Sequence, residues 1–261
     1  MKVTFLGTGV AIPEADRGPT STLLRSEEAS VLVDLGSGSL QKLQAAGCDL
    51  LDLDAVYLTH DHLDHLADLL PLLFSLHIPF YNRAEPLEIF ASAETLERIR
   101  KLQSVFDDWL TPGVDEVRFR QVDRNDQFEY RDIVVETGAV VHTEASVGFR
   151  FTEKATATTV AIPGDTGKCD GVLELIRDAN LAILECSVPD SYAMETHLCP
   201  SEIADLAVSA EPLAIALVHR YPLVRDLDIR SIIGRRFGGT ILVPDDGHTV
   251  SVSTDGLEQL E

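Results

Sequence analysis

The apolar positions of this chain fall into short runs separated by polar turn residues. Lys2 to Leu6, Thr22 to Leu24, Val31 to Leu35, Ala55 to Leu58 and Leu87 to Ala91 read as strands of buried type in the first part. Val117 to Val122, Phe128 to Tyr130, Ile133 to Val141, Val147 to Phe151 and Thr158 to Ile162 form a β-rich centre. Leu181 to Leu184, Leu213 to Val218, Thr240 to Val243 and Val250 to Ser253 complete the set. Between them, helical spacing runs over Leu40 to Ala46, from Leu66 to Leu73, Gly171 to Arg177, Glu202 to Ser209 and Arg225 to Phe237. The stretch Pro71 to Tyr81 is apolar and is broken by Pro79. Ala93 to Trp109 predicts an amphipathic helix whose core face is Leu96, Ile99, Leu102, Val105, Phe106 and Trp109. Buried strands followed by helices, repeated in two loosely similar halves, imply an α/β fold. No linker or low-complexity stretch divides them, so residues 1–261 are read as one domain.

The polar residues that matter sit where these runs stop. After Ala55 to Leu58 comes Thr59-His60-Asp61-His62-Leu63-Asp64-His65, a His-x-His-x-Asp-His pattern. Three imidazoles and a carboxylate in six positions suit zinc or a related transition metal. One ion cannot easily take all four, but two adjacent ions can. His142, Asp165, Glu185 and His219 also follow runs of buried type. Strand ends on one side of a sheet face a common cleft, which joins residues distant in sequence. Glu185 closes so apolar a run that burial would be costly without a partner. Asp34 reads equally as a partner that orients a histidine or as a helix cap. His77 and His248 read as structural or surface residues, although His248 lies beside Asp245 and Asp246.

Charge and composition narrow the picture. The formal net charge of −22 opposes loose binding to a nucleic-acid backbone, which needs clustered Lys and Arg. No apolar run is long enough to span a membrane, and the start reads as a strand and turn rather than a signal peptide. Cys48, Cys169, Cys186 and Cys199 show no paired spacing, which fits reduced thiols in a cytoplasmic protein.

Taken together, Phe5-Leu6-Gly7-Thr8-Gly9, the Thr59 to His65 motif with Leu70-Pro71, His142 with Gly148-Phe149-Arg150, Gly164-Asp165-Thr166, Glu185, His197 and Leu217-Val218-His219 resemble the metallo-β-lactamase superfamily. Within it, the Gly-Thr-Gly opening and the Glu185–His197 pair resemble the ribonuclease Z-like, phosphodiesterase branch. The resemblance implies a four-layered αββα sandwich with two divalent metal ions. Zinc is the first expectation, with manganese or iron as alternatives. By the same resemblance His60, His62 and His142 hold one ion, Asp64, His65 and His219 the other, and Asp165 bridges them. A hydroxide shared by the ions is then the nucleophile, Asp64 accepts its proton, and His197, held by Glu185, serves the leaving oxygen. Two divalent ions, less two carboxylates and a hydroxide, leave a centre of about +1, which attracts an anionic diester despite the acidic chain. Members of the family are often dimers, so the resemblance extends to a homodimer.

One feature departs from the branch. Typical ribonuclease Z enzymes carry a long, glycine-rich and basic arm between the third histidine and the Gly-Asp-Thr aspartate. Here only 23 positions separate His142 from Asp165, with few basic residues among them. The leading expectation is therefore a hydrolase of a small or short phosphodiester. A transfer-RNA 3′ endonuclease with a substitute surface in Phe74 to Pro112 is the second, although the charge disfavours structured RNA. A carboxylic or sulfate ester hydrolase, or a metal-binding accessory protein with little turnover, is the third.

Overall fold

The computed structural model describes residues 1–260 apart from 79, 82 and 114, so Pro79 lies outside the described residues. Among the described residues, fifteen strands form two mixed sheets. The first holds β1 (Lys2–Gly7), β2 (Ser21–Arg25), β3 (Ser30–Val33), β4 (Ala55–Tyr57), β5 (Leu87–Ala91) and β6 (Val117–Gln121). The second holds β7 (Gln127–Tyr130), β8 (Ile133–Ala139), β9 (Val147–Glu153), β10 (Thr159–Ile162), β11 (Leu181–Glu185), β12 (Ala214–Val218) and β13 (Thr240–Leu242). The chain then returns to the first sheet, where β14 (Thr249–Ser253) pairs with β1 and β15 (Gly256–Leu260) closes the edge.

Each sheet begins as an antiparallel meander and continues as parallel strands, β3 to β6 and β10 to β13. This is the similarity between halves that the sequence suggests. Parallel strands are covered on both faces, so β4, β10, β11 and β12 are buried at every position. Phe5, Tyr57, Phe149, Phe151, Val160 and Ile183 pack between the sheets. On the outer side of the first sheet lie α1 (Ser39–Ala45), α2 (Leu63–Leu66), α3 (Leu69–Leu76) and α4 (Ala93–Val105), around Leu43, Leu58, Leu69 and Leu96. On the outer side of the second lie α5 (Asp170–Ile176), α6 (Pro200–Ala210), α7 (Pro222–Arg225) and α8 (Ile229–Gly234), around Val172, Leu184, Ile203 and Ile233. Three apolar cores separate four layers, and the αββα sandwich stands.

Several boundaries differ from expectation. Arg225 to Phe237 is two pieces, because α7 starts at Pro222 and Asp228 begins α8 by accepting from Ser231 N at 3.1 Å. Strand β8 stops at Ala139, and half-exposed Val141 only bridges Gly167. The last strand is β15, an edge strand too polar to read from its pattern. Helix α4 ends at Val105, and Val105, Phe106 and Trp109 are exposed rather than core. Among the described residues no helix is long and apolar enough to cross a membrane, and the four cysteines are free.

Candidate metal centre

The loop after β4 is shaped by one buried carboxylate. Asp34 follows β3 in a left-handed conformation, φ 61°, and does not cap α1, whose first turn is preceded by Gly38. Its carboxylate accepts from Thr59 N, Thr59 Oγ1 and His65 Nδ1, each at 2.8 Å. Of the two readings of Asp34, the orienting one holds. A carboxylate only accepts, so His65 carries its proton on Nδ1 and its Nε2 presents a lone pair. Thr59 has one hydroxyl proton, already given to Asp34, so at 3.0 Å it accepts from His60 Nδ1. His60 Nε2 is then the free nitrogen. Both Nε2 atoms are buried with no hydrogen-bond partner among the described residues. Orphaned buried acceptors are rare unless something outside the protein satisfies them.

The second sheet brings its residues to the same point. Gly164, at φ 73°, lets the chain pass over Thr59, where a Cβ would lie 2.7 Å from the Thr59 Cβ. Asp165 follows and faces four imidazoles: His219 Nε2 at 3.3 Å, His65 at 3.5 Å, His142 at 3.8 Å and His60 at 3.9 Å. His142 donates from Nδ1 to the Thr196 carbonyl at 3.1 Å, so its Nε2 is also free, 3.1 Å from His62 Nδ1. Two imidazole lone pairs at that distance repel unless a proton or cation sits beside them. Asp64 Oδ2 lies 3.3 Å from His219 Nε2. One ligand atom each from His60, His62, His142 and Asp165 falls within a 4.8 Å group, as do Asp64, His65 and His219. The donors are neutral imidazoles and carboxylates, so the residues present fit divalent metal ions.

The electrostatics of the metal-free chain agree. Burial and the neighbouring His65 hold His60 well below the usual histidine range. Burial also disfavours a charged His65, but Asp165 and Asp34 outweigh it and hold it well above that range. Burial would raise Asp165, yet His219 and His65 keep its carboxyl far below the ordinary value. Asp64, despite its burial, is lowered to about 2, chiefly by the hydrogen bond to His219.

Glu185 ends β11 and is 2% exposed. Burial and nearby Asp165 push its pKa up. Against them stand three donors: Thr166 N at 2.5 Å, His197 Nδ1 at 2.9 Å and the Ser187 hydroxyl. Three donors require an accepting carboxylate, so we read Glu185 as ionised. Burial lowers His197, but the Glu185 hydrogen bond and charge raise it overall. The His197 ring lies 4.8 Å from that of His142 and 5.9 Å, nearly parallel, from that of His219.

Every expected site residue thus converges: His60, His62, Asp64, His65, His142, Asp165 and His219 on one cluster, with Glu185 and His197 beside it. His77 and His248 belong to none of the ligand groups among the described residues. Asp246, beside His248, instead fixes the Gly-Thr-Gly turn, accepting from Thr8 N at 2.9 Å, Thr8 Oγ1 at 2.8 Å and Gly18 N at 2.7 Å. Thr59, Ser187 and the Thr196 carbonyl were not expected. For the two hydroxyls the available signal is position, directly before His60 and two residues after Glu185.

Known proteins are similar to this chain in sequence and fold. The chain is 28% identical to a ribonuclease Z of Mycolicibacterium gilvum, over 97% of this chain and 96% of that one. The metallo-β-lactamase-fold protein YhfI of Bacillus subtilis superposes with a TM-score of 0.82 at 24% identity, covering 95% of this chain and 97% of that one. The short form of human tRNase Z superposes with a TM-score of 0.76 at 24% identity, covering 97% and 99%. The description of the beta-lactamase superfamily domain matches residues 30–220, and the chain belongs to that family.

Proposed function

We propose that this chain is a metal-dependent hydrolase that cleaves a small or short phosphodiester with two divalent ions, zinc first. The observation that carries the proposal is Asp165, 3% exposed and set among four imidazoles of which two present buried, unpartnered Nε2 atoms. His60, His62 and His142 would hold one ion and Asp64, His65 and His219 the other, with Asp165 shared. When bound, the ions supply Lewis acidity toward the phosphoryl oxygens and lower the pKa of water. The protein's own groups do the rest. Asp64 orients the attacking water and accepts its proton. His197, its Nδ1 engaged by Glu185, has Nε2 left to protonate the leaving oxygen. Thr59, Asp34 and the Thr196 carbonyl hold the ligand rings at fixed tautomers.

The cleft supports a small substrate. A cavity of about 520 Å³ opens beside His62, lined by Asp61, Arg98, Lys101, Glu94 and Glu144. That volume suits a ligand of nucleotide size. The interval from His142 to Asp165 contains only β9, β10 and a tight turn, so no clamping arm stands over the cleft. A second reading, a transfer-RNA 3′ endonuclease, is favoured by one feature: the exposed Phe74 and Trp109 rings, 5.7 Å apart, which offer bases a stacking platform.

The test is metal content by elemental analysis, paired with hydrolysis of bis-p-nitrophenyl phosphate, cyclic nucleotides and transfer-RNA precursor by the same sample. About two ions per chain with turnover of the small diesters is the expected result. Turnover of the precursor alone selects the second reading, and absence of metal from protein purified without chelators overturns both.

A further inference from the structure

Ser187 is fully buried between the two histidines that differ most in their proposed duties. Its Oγ lies 2.9 Å from His219 Nδ1, beside Glu185 Oε2, and 3.0 Å from the His219 carbonyl oxygen. A hydroxyl has one proton to give. The Glu185 carboxylate is the stronger acceptor, since charge-assisted hydrogen bonds exceed neutral ones. Ser187 therefore donates to Glu185 and accepts from His219 Nδ1. The same carboxylate takes the His197 proton at 2.9 Å. An unbroken path results: His219 Nδ1–H to Ser187 Oγ, Ser187 O–H to Glu185, and His197 Nδ1–H to Glu185 from the other side.

The backbone holds this path at both ends. Ser187 N donates to the Leu198 carbonyl at 3.1 Å, next to His197, and Cys186 N donates to the Val218 carbonyl at 2.9 Å, next to His219. His219 itself has φ 49°, an uncommon conformation for a non-glycine residue.

We propose that Ser187 is a positioning residue that fixes the His219 tautomer and, through the shared Glu185 carboxylate, ties the grip on one metal ion to the placement of His197. It makes one carboxylate serve two histidines. This rests on the reading of the metal centre above. Ser187→Ala removes the relay and leaves His219 Nδ1 without its acceptor. We expect its zinc to transfer to a competing chelator roughly 10–100-fold more readily than that of the unaltered protein, the usual cost of losing a ligand's orienting partner. We expect kcat on bis-p-nitrophenyl phosphate to fall with KM nearly unchanged. Ser187→Thr, which keeps the hydroxyl, restores both.

A second readout needs neither metal nor turnover. In ¹⁵N histidine spectra of the metal-free chain, the His219 Nδ1 proton is shielded from solvent exchange by its hydrogen bond to Ser187, and Ser187→Ala makes it exchange rapidly. If Ser187→Ala retains zinc like the unaltered protein and keeps a slowly exchanging His219 Nδ1 proton, the inference is overturned while the metal centre stands. If the unaltered protein binds no metal, the centre falls, and a His219 Nδ1 proton insensitive to Ser187→Ala overturns the positioning role as well.

Discussion

The two sheets feed the same centre in opposite ways. The first supplies His60, His62, Asp64 and His65 from one loop after β4, held locally by Asp34 and Thr59. The second supplies His142, Asp165, Glu185 and His219 from separate strand ends, held by strand register, with Glu185 opposite Val218 and Val160 opposite Leu181. A local set can lose one support and keep its shape, because neighbouring peptide bonds limit where each side chain can go. A distributed set has no such tether. It converges on Asp165, which faces rings from both sheets.

The sharpest way to break that comparison is Asp165→Ala. Both groups of donors lose their common anion, and four imidazoles remain facing one another. We expect loss of both ions and a fall in diester hydrolysis of about 10³-fold or more, beyond the 10–100-fold typical when an orienting partner is lost. Elemental analysis with initial rates decides it. Two ions retained by Asp165→Ala would show that the second sheet is not the keystone.

Asp34→Asn probes the local side. It keeps the size of the residue but weakens its hold on Thr59 and His65. The expected drop in zinc affinity is about 10–100-fold, with the fold intact by circular dichroism. A loss as large as that of Asp165→Ala would mean the first loop is no more robust than the distributed ends.

Glu185→Gln sharpens the comparison further, since it acts on chemistry more than on metal. Glu185 raises the His197 pKa, despite opposing burial. A general acid works while protonated, so a raised pKa carries activity to higher pH, and the rate falls as pH rises through it. Removing the charge lowers that pKa, so the alkaline limb of the kcat profile shifts to lower pH. An unmoved limb would separate His197 from the observed titration.

The same contrast explains what was legible in the sequence. The His60 to His65 motif is readable because its candidate ligands are neighbours and its chemistry needs no topology. The distributed residues are readable only as polar residues closing apolar runs, a weaker sign that becomes strong when these four share it with His60. The αββα layering follows from strands too apolar to have a wet face. Ser187 and the Thr196 carbonyl are not legible in this way. Hydroxyls at turns are common, and a carbonyl leaves no trace in residue type.

The Phe74 to Pro112 segment beside the first sheet is the remaining test, and there the pattern misleads for a geometric reason. Leu96, Ile99, Leu102 and Val105 recur every third residue. Each step of three on an α-helix falls short of a full turn by about 60°, so three such steps reach the opposite side. Leu96 and Ile99 are buried, Leu102 is partly buried, and Val105 is 72% exposed. Past Val105 the chain tightens into a 3-10 turn over Asp107–Leu110, which moves Trp109 out of the helical register to 65% exposure. Trp109 keeps only the Phe74 ring as an aromatic partner among the described residues. Trp109→Ser should therefore cost no more than about 1 kcal/mol in urea unfolding, the scale of one aromatic pair. A core tryptophan would cost about 3–5 kcal/mol. Small-diester turnover should be unchanged, because Trp109 is neither a ligand nor a wall of the cleft beside His62. A large loss of stability would mean that this surface is covered in solution, and the segment would then belong to an interface rather than to a free face.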